Sequence, residues 1–265
     1  MQFWYQRIKQ KKYFLGMLIG LIIVIAHLVA VYLTTSSQLN GNEYLFTPYT
    51  QWIDFNTGPW TVGLLLGLPL LSALSLSQIV SDDLRNGFFW NILNKQSLLK
   101  YLTFEQGLSF IGGALTIVVP LLVDLGGLWC LLPKIKPDLI MNANRSYLPQ
   151  LTYFYQWYYQ HPLMLAFFYI LLAGFTAGLF ALLASTIALY TNNRFIPLGL
   201  GFVLTMILNV MNSAFPNLVF SPVLIIMGLS PVYLPRLTVV SAIYAGSLIL
   251  LVIAHFIGGY RRASL

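Results

Sequence analysis

Residues 81–101, SDDLRNGFFWNILNKQSLLKY, separate two long apolar runs and read as a short amphipathic helix. Leu84, Phe88 and Ile92 recur every four residues, and Phe89 with Leu93 widens the same face. Asp82, Asp83, Asn86, Asn91, Asn94 and Lys95 fill the remainder. The acids precede Lys95, the order a helix dipole favours. Ser81 is placed to cap the N-terminus, whereas Gly87 weakens the interior by about 1 kcal/mol relative to Ala. A polar helix with a broad aromatic face between two membrane spans has two uses. It lies on lipid headgroups, or it docks a cytoplasmic partner.

Composition places the whole chain in the bilayer. Of 265 residues 58% are hydrophobic and only 8% charged, where a soluble domain carries about 25% charged residues. No polar stretch reaches 50 residues, so any large catalytic domain is expected on another chain. The net charge of +7 is not read as a nucleic-acid surface. The basic residues adjoin apolar spans, which fits topology control and contact with anionic lipid of the lipid bilayer. Cys130 is the only cysteine, so no intrachain disulfide forms.

Working outward, residues 1–12 mix aromatic and basic side chains and predict an interfacial helix. Six spans follow, over 13–33, 59–80, 102–132, 163–189, 196–214 and 237–257. Gly16 with Gly20, Gly63 with Gly67 and Gly174 with Gly178 are four apart, a spacing that lets helices approach closely. Pro120 is expected to kink the third span. His27 lies inside the first span, as a packing or pore-facing group or a proton relay. Glu105 and Asp124 sit towards opposite ends of the third, with Asp124 expected to be wetted or interfacial. The run YFYQWYY at 153–159 predicts an aromatic belt, a short outer helix or a surface for exiting cargo. Asn144-Arg145-Ser146 matches a glycosylation sequon. Residues 215–236 are apolar yet hold Pro216, Pro222, Pro231 and Pro235, which suits a re-entrant pair of short helices.

Orientation follows from the basic residues. With the N-terminus inside, ten lie in cytoplasmic segments and four outside, so both termini are expected in the cytoplasm. The expected fold is an all-α integral membrane domain over 1–265. It has an interfacial helix at 1–12, a cytoplasmic coupling segment at 81–101 and a re-entrant segment at 215–236.

That arrangement resembles the permease subunit of type-2 ABC transporters. At residue level the likeness rests on 83–101: Asp83, Gly87, Ile92-Leu93, Ser97 and Tyr101 follow the family pattern. Phe88 stands where a small hydroxyl residue is usual, Gln96 where Pro is common, and Glu105-Gln106 where a Lys often occurs. The resemblance implies a bacterial plasma-membrane exporter driven by a separate, dimeric ATPase subunit that binds ATP and Mg. It also implies a second permease copy or a related permease. The coupling helix would sit in a groove of the ATPase. Phe88, Phe89, Trp90 and Leu93 would anchor it, Asp82, Asp83, Arg85 and Lys95 would form a charged rim, and Gly87 belongs to the same motif. The chain has no phosphate-loop motif, no cofactor of its own is implied, and no enzyme is expected.

Two other readings come from the residues. His27, His161 and His255 are far apart and none precedes a Glu, which disfavours a metal-dependent membrane protease. A secondary transporter or channel would need ionisable groups within the spans, for which His27, Glu105, Asp124 and His255 are the candidates. A non-transporting receptor or immunity protein shares the same outline. Thr205, Met206, Asn209 and Asn212 on the fifth span are the pathway candidates. Their mild polarity fits an amphipathic cargo such as a peptide or antimicrobial peptide better than a sugar or an ion. The plainer role is helix-to-helix hydrogen bonding.

Overall fold

Hydrocarbon offers no partner to a backbone amide, so a spanning chain satisfies its own. In the computed structural model every regular element among the described residues is a helix; these residues are 7–36, 46–56, 58–138, 150–215 and 221–264. The sequon and parts of the expected interfacial and re-entrant segments (1–6 and 216–220) lie outside them.

A 3-10 turn, Lys11–Phe14, leads into α1 (Leu15–Thr35). Then come α2 (Pro48–Gln51), α3 (Pro59–Ala73), α4 (Gln78–Arg85), α5 (Phe88–Leu93) and α6 (Leu98–Leu131). The chain continues with α7 (Tyr155–Gln160), α8 (Pro162–Tyr190), α9 (Phe195–Ala214), α10 (Pro222–Ile226) and α11 (Leu237–Ala263). Six stretches are long and apolar enough to cross a membrane: Lys11–Thr35, Pro59–Arg85, Leu98–Leu131, Pro162–Tyr190, Phe195–Ala214 and Leu237–Ala263. At 1.5 Å per residue α6 is about 50 Å long, more than the roughly 30 Å hydrocarbon layer. Helix α6 runs through Pro120 without interruption, and the ring projects toward α1 at Gly20.

Helices α6 and α8 form the most extensive contact and the centre of the bundle. Helix α1 packs on α6 and α3, α9 on α3 and α8, and α11 on α8 and α6. Small residues set the closest approaches. A Cβ at Gly113 would lie 2.3 Å from the Ala181 Cβ and 2.9 Å from the Ala177 carbonyl oxygen. Gly16 and Gly20 face Leu71 and Pro120, and Gly174 and Gly178 face Val118 and Phe110, so both pairs lie at helix contacts. The Gly63–Gly67 pair does not: no other helix comes within 4 Å of a Cβ at either position.

The two ends of the bundle differ. At the end carrying Arg7 and Ala263, α4 and α5 form an elbow between the second and third spans. At the other end, 46–56, 150–160 and 221–236 interlock as a cap. The Ser230 and Leu234 amides donate to the Leu151 and Gln150 carbonyls, and the Tyr153 hydroxyl donates to the Pro235 carbonyl. The described part of the proline-rich segment holds one short helix, α10, packed on α8, followed by irregular chain from 227 to 236 rather than a second helix. In the aromatic run Tyr153 and Tyr158 are buried, Tyr155, Trp157 and Tyr159 are half-buried, and Tyr155–Gln160 forms a short helix, one of the forms expected of it. Tyr158 is buried against Phe55, while Phe154 stays exposed and stacks on Trp157.

Gly113→Leu is expected to destabilise the bundle by about 1–3 kcal/mol through overpacking against fixed backbone. Gly126→Ala, with nothing within 4 Å of its Cβ, is expected to be neutral or stabilising by up to about 1 kcal/mol. Thermal unfolding in detergent, followed by tryptophan fluorescence, compares the two.

Candidate functional sites

The elbow departs from the single helix read in residues 81–101. Helix α4 begins earlier, at Gln78, so Ser81 lies within it and is buried rather than capping it. The helix ends because Gly87 adopts φ +67°, a left-handed conformation that costs glycine nothing and terminates helices. Helix α5 then starts at Phe88, and Ser97, in extended conformation, precedes α6.

This break divides the predicted docking residues. Phe89 is fully buried, edge-on to Tyr101 at 5.5 Å and packed in a cluster with Ile79, Val80, Ile92 and Leu102. It is part of the elbow's core and not an exposed anchor. Leu93 packs half-buried on that cluster. Phe88 and Trp90 remain exposed, at 38% and 42%, and Lys95 is exposed beside them. The acids are not a free rim either. Asp83 is buried, pairs with Arg7 and accepts from the Tyr101 hydroxyl at 2.7 Å. Asp82 accepts from Lys12 Nζ at 2.5 Å and from the Tyr13 hydroxyl at 3.0 Å. Arg7 also lies 5.3 Å from the Phe88 ring centre. The acids therefore bind the N-terminal segment to the elbow, 70 or more residues away in sequence. Arg85 turns toward the ends of α8 and α11.

A second constellation lies inside the bundle. His27 Nδ1 on α1 is 2.7 Å from Asp124 Oδ1 on α6. The other Asp124 oxygen accepts from the Ile53 amide at 3.0 Å. His255 Nε2 on α11 is 3.1 Å from Glu105 Oε2, and the Ser109 hydroxyl donates to Glu105 Oε1 at 2.5 Å. Thr186 Oγ1 lies 3.3 Å from His255 Nδ1. Asp124 is buried, not wetted as its place near a span end suggested, and all four partners are at most 2% exposed. No local pattern signals these pairs, because each joins residues on different helices.

The pathway candidates all lie on α9. The Thr205 hydroxyl donates to its own helix at Gly201, and Asn212 Oδ1 accepts from the Ser221 amide, tying α9 to the cap. Met206 and Asn209 are half-buried. The cap itself hides an ionisable group that the sequence reading did not single out. Asp54 is buried, its carboxyl packed against Gly228 and Phe55 without a hydrogen bond of good geometry. Burial pushes its pKa well above the usual carboxylate range, and the Gly228 backbone opposes this only in part.

No protein family, curated protein or solved structure matches the chain.

Asp124→Leu is expected to cost about 1–3 kcal/mol, because it leaves the buried His27 and the Ile53 amide without their partner. Adding His27→Leu should recover part of that loss, and a double-mutant cycle on thermal unfolding measures the coupling. For Asp54 the folded pKa is raised, so its contribution is fully present below the unfolded value of about 3.9. It is lost as pH rises through the folded value. The native chain should therefore lose stability relative to Asp54→Asn as pH increases from about 4, in parallel melts of the two proteins.

Proposed function

We propose that this chain is the membrane-spanning permease subunit of an ATP-driven ABC exporter. The reading places both termini and the elbow in the cytoplasm, and the ATPase, with its ATP and Mg, on a separate subunit. The observation that carries it is the elbow: a short helix between the second and third spans with two aromatic side chains, Phe88 and Trp90, exposed at its tip. Exposed aromatics of this kind anchor interfaces. The elbow is also joined to the spans that would have to move. Phe89 meets Tyr101 at the start of α6, and Asp82 and Asp83 hold Lys12 and Arg7 at the start of α1. A push on Phe88 and Trp90 would reach two helices at once. With Phe89 inside the elbow, the docking set reduces to Phe88, Trp90 and Lys95. An amphipathic cargo, such as a peptide, remains the substrate class that the weakly polar, apolar-faced spans suit.

A second reading draws on the buried pairs. Ionisable groups within membrane spans often serve proton or ion coupling, and His27–Asp124 and His255–Glu105 are two such sites. They favour a proton-coupled secondary transporter over an uncoupled channel.

Affinity purification of the full chain from its native host in mild detergent separates the two readings. An ATPase subunit is expected to co-purify with the native chain, and Phe88→Ala/Trp90→Ala is expected to reduce its recovery at least about tenfold, in line with two interface hot spots. Phe89→Ala should instead lower thermal stability. If no ATPase is recovered from an intact preparation, and the chain alone moves protons in vesicles, the secondary-transporter reading replaces the first.

A further inference from the structure

The face of α4 opposite the Arg7 and Lys12 contacts holds a different kind of site. Ser81, Leu84 and Arg85 share one side of the helix, as residues three and four apart do, and turn toward the ends of α8 and α11. There they meet Thr191, Asn192 and Arg262 around a pocket of about 200 Å³. Arg262 is held in place by donating to Asn192 Oδ1.

The charge in this pocket is uncompensated. Its wall contains two guanidinium groups and no carboxylate. The neighbouring acids face the other way: Asp83 is committed to Arg7 and Tyr101, and Asp82 to Lys12 and Tyr13. Among the described residues neither Arg85 nor Arg262 has an acidic partner. Two arginines beside the Ser81 and Thr191 hydroxyls form a donor-rich cradle. Its natural complement is an acceptor-only group with several oxygens, a phosphate, which arginine binds in bidentate fashion.

The pocket lies where the spans end, at Tyr190 of α8 and Ala263 of α11. Tyr190, the residue before Thr191, also walls an open apolar groove on α11 formed by Gly246, Ile249, Leu250, Ile253 and Ile257. From Gly246 to Ile257 the helix rises about 16 Å, close to half of the roughly 30 Å hydrocarbon layer. A phosphate cradle at the membrane boundary beside an apolar groove one leaflet deep has the form of a lipid site.

We infer that Arg85 and Arg262 bind the phosphate of an anionic phospholipid from the leaflet at the terminus end of the bundle, with an acyl chain lying along the α11 groove past Tyr190. The site is independent of whether the chain works with an ATPase.

Native mass spectrometry of the full chain in mild detergent tests this, with dioleoyl-phosphatidylglycerol and dioleoyl-phosphatidylcholine titrated separately. The native chain is expected to bind the first phosphatidylglycerol about tenfold or more tightly than phosphatidylcholine. Arg85→Gln/Arg262→Gln should abolish the preference, and Arg85→Lys/Arg262→Lys should keep part of it. Lys11→Gln/Lys100→Gln, which removes equal charge from the same end of the bundle, should keep all of it. Melting curves establish that each variant is folded. A native chain without preference, or a preference lost equally in the Lys11/Lys100 variant, overturns the site. Inorganic phosphate is titrated alone in parallel. If it raises the melting temperature of the native chain but not of the double Gln variant, and phosphatidylglycerol is not preferred, the pocket takes free phosphate and the lipid assignment falls.

Discussion

An ionisable side chain in hydrocarbon is costly unless a partner meets it, and α6 carries two of them. Glu105 and Asp124 are separated by 19 residues, about 28 Å along a helix, which nearly spans the apolar layer. Each meets a histidine from a different helix, His255 of α11 and His27 of α1. A pair of this kind adds little net stability compared with a well-packed apolar pair. Its effect is on specificity. Sliding α1 or α11 by one turn, or rotating either, would leave a buried polar group without its partner, at a cost of about 1–3 kcal/mol. The two pairs therefore set the height and rotation of the outer helices, and α8 closes on α6 through Gly113, Gly174 and Gly178.

The two ends of the bundle follow from this frame. With α1 fixed against α6, the chain before it is carried to the elbow, where Arg7 and Lys12 neutralise Asp83 and Asp82. That neutralisation leaves the opposite face of α4 with a cationic surplus at Arg85, reinforced by Arg262. At the other end Asp124 accepts from the Ile53 amide, so the same carboxylate that positions α1 also anchors the cap. In the proposed permease these links give a continuous mechanical route. It runs from Phe88 and Trp90 through Phe89 and Tyr101 into α6, and along α6 to the cap that would have to open.

Much of this architecture is legible in sequence. Runs of about 20 apolar residues in a chain with few charges have one stable solution in a bilayer, and all six predicted spans are present as helices. The Gly16–Gly20 and Gly174–Gly178 pairs sit at helix contacts as their spacing implies, but Gly63–Gly67 does not. Spacing states that a close approach is permitted, and only the packed bundle decides which faces meet. The elbow follows the second apolar stretch and precedes the third, but it is not the single helix expected of 81–101. A period of four across 84–92 is real, but the positive φ of Gly87 divides the segment into two helices and turns Phe89 inward. Of the pathway candidates on α9, Thr205 bonds its own helix at Gly201 and Asn212 accepts from the Ser221 amide, so neither of these bonds is the helix-to-helix bond that the plainer reading expected.

By itself the sequence determined an all-helical chain, its six helices long and apolar enough to cross a membrane, and the position of the polar elbow. These depend on local composition, hydropathy and length, which act within one segment. The tertiary structure alone decided that His27 meets Asp124, that His255 meets Glu105, that Asp82 and Asp83 are taken by Lys12 and Arg7, and that Arg85 is left beside Arg262. Each of those pairings joins residues about 70 to 180 positions apart. Electrostatic partners are chosen by distance in space, which a linear pattern does not carry.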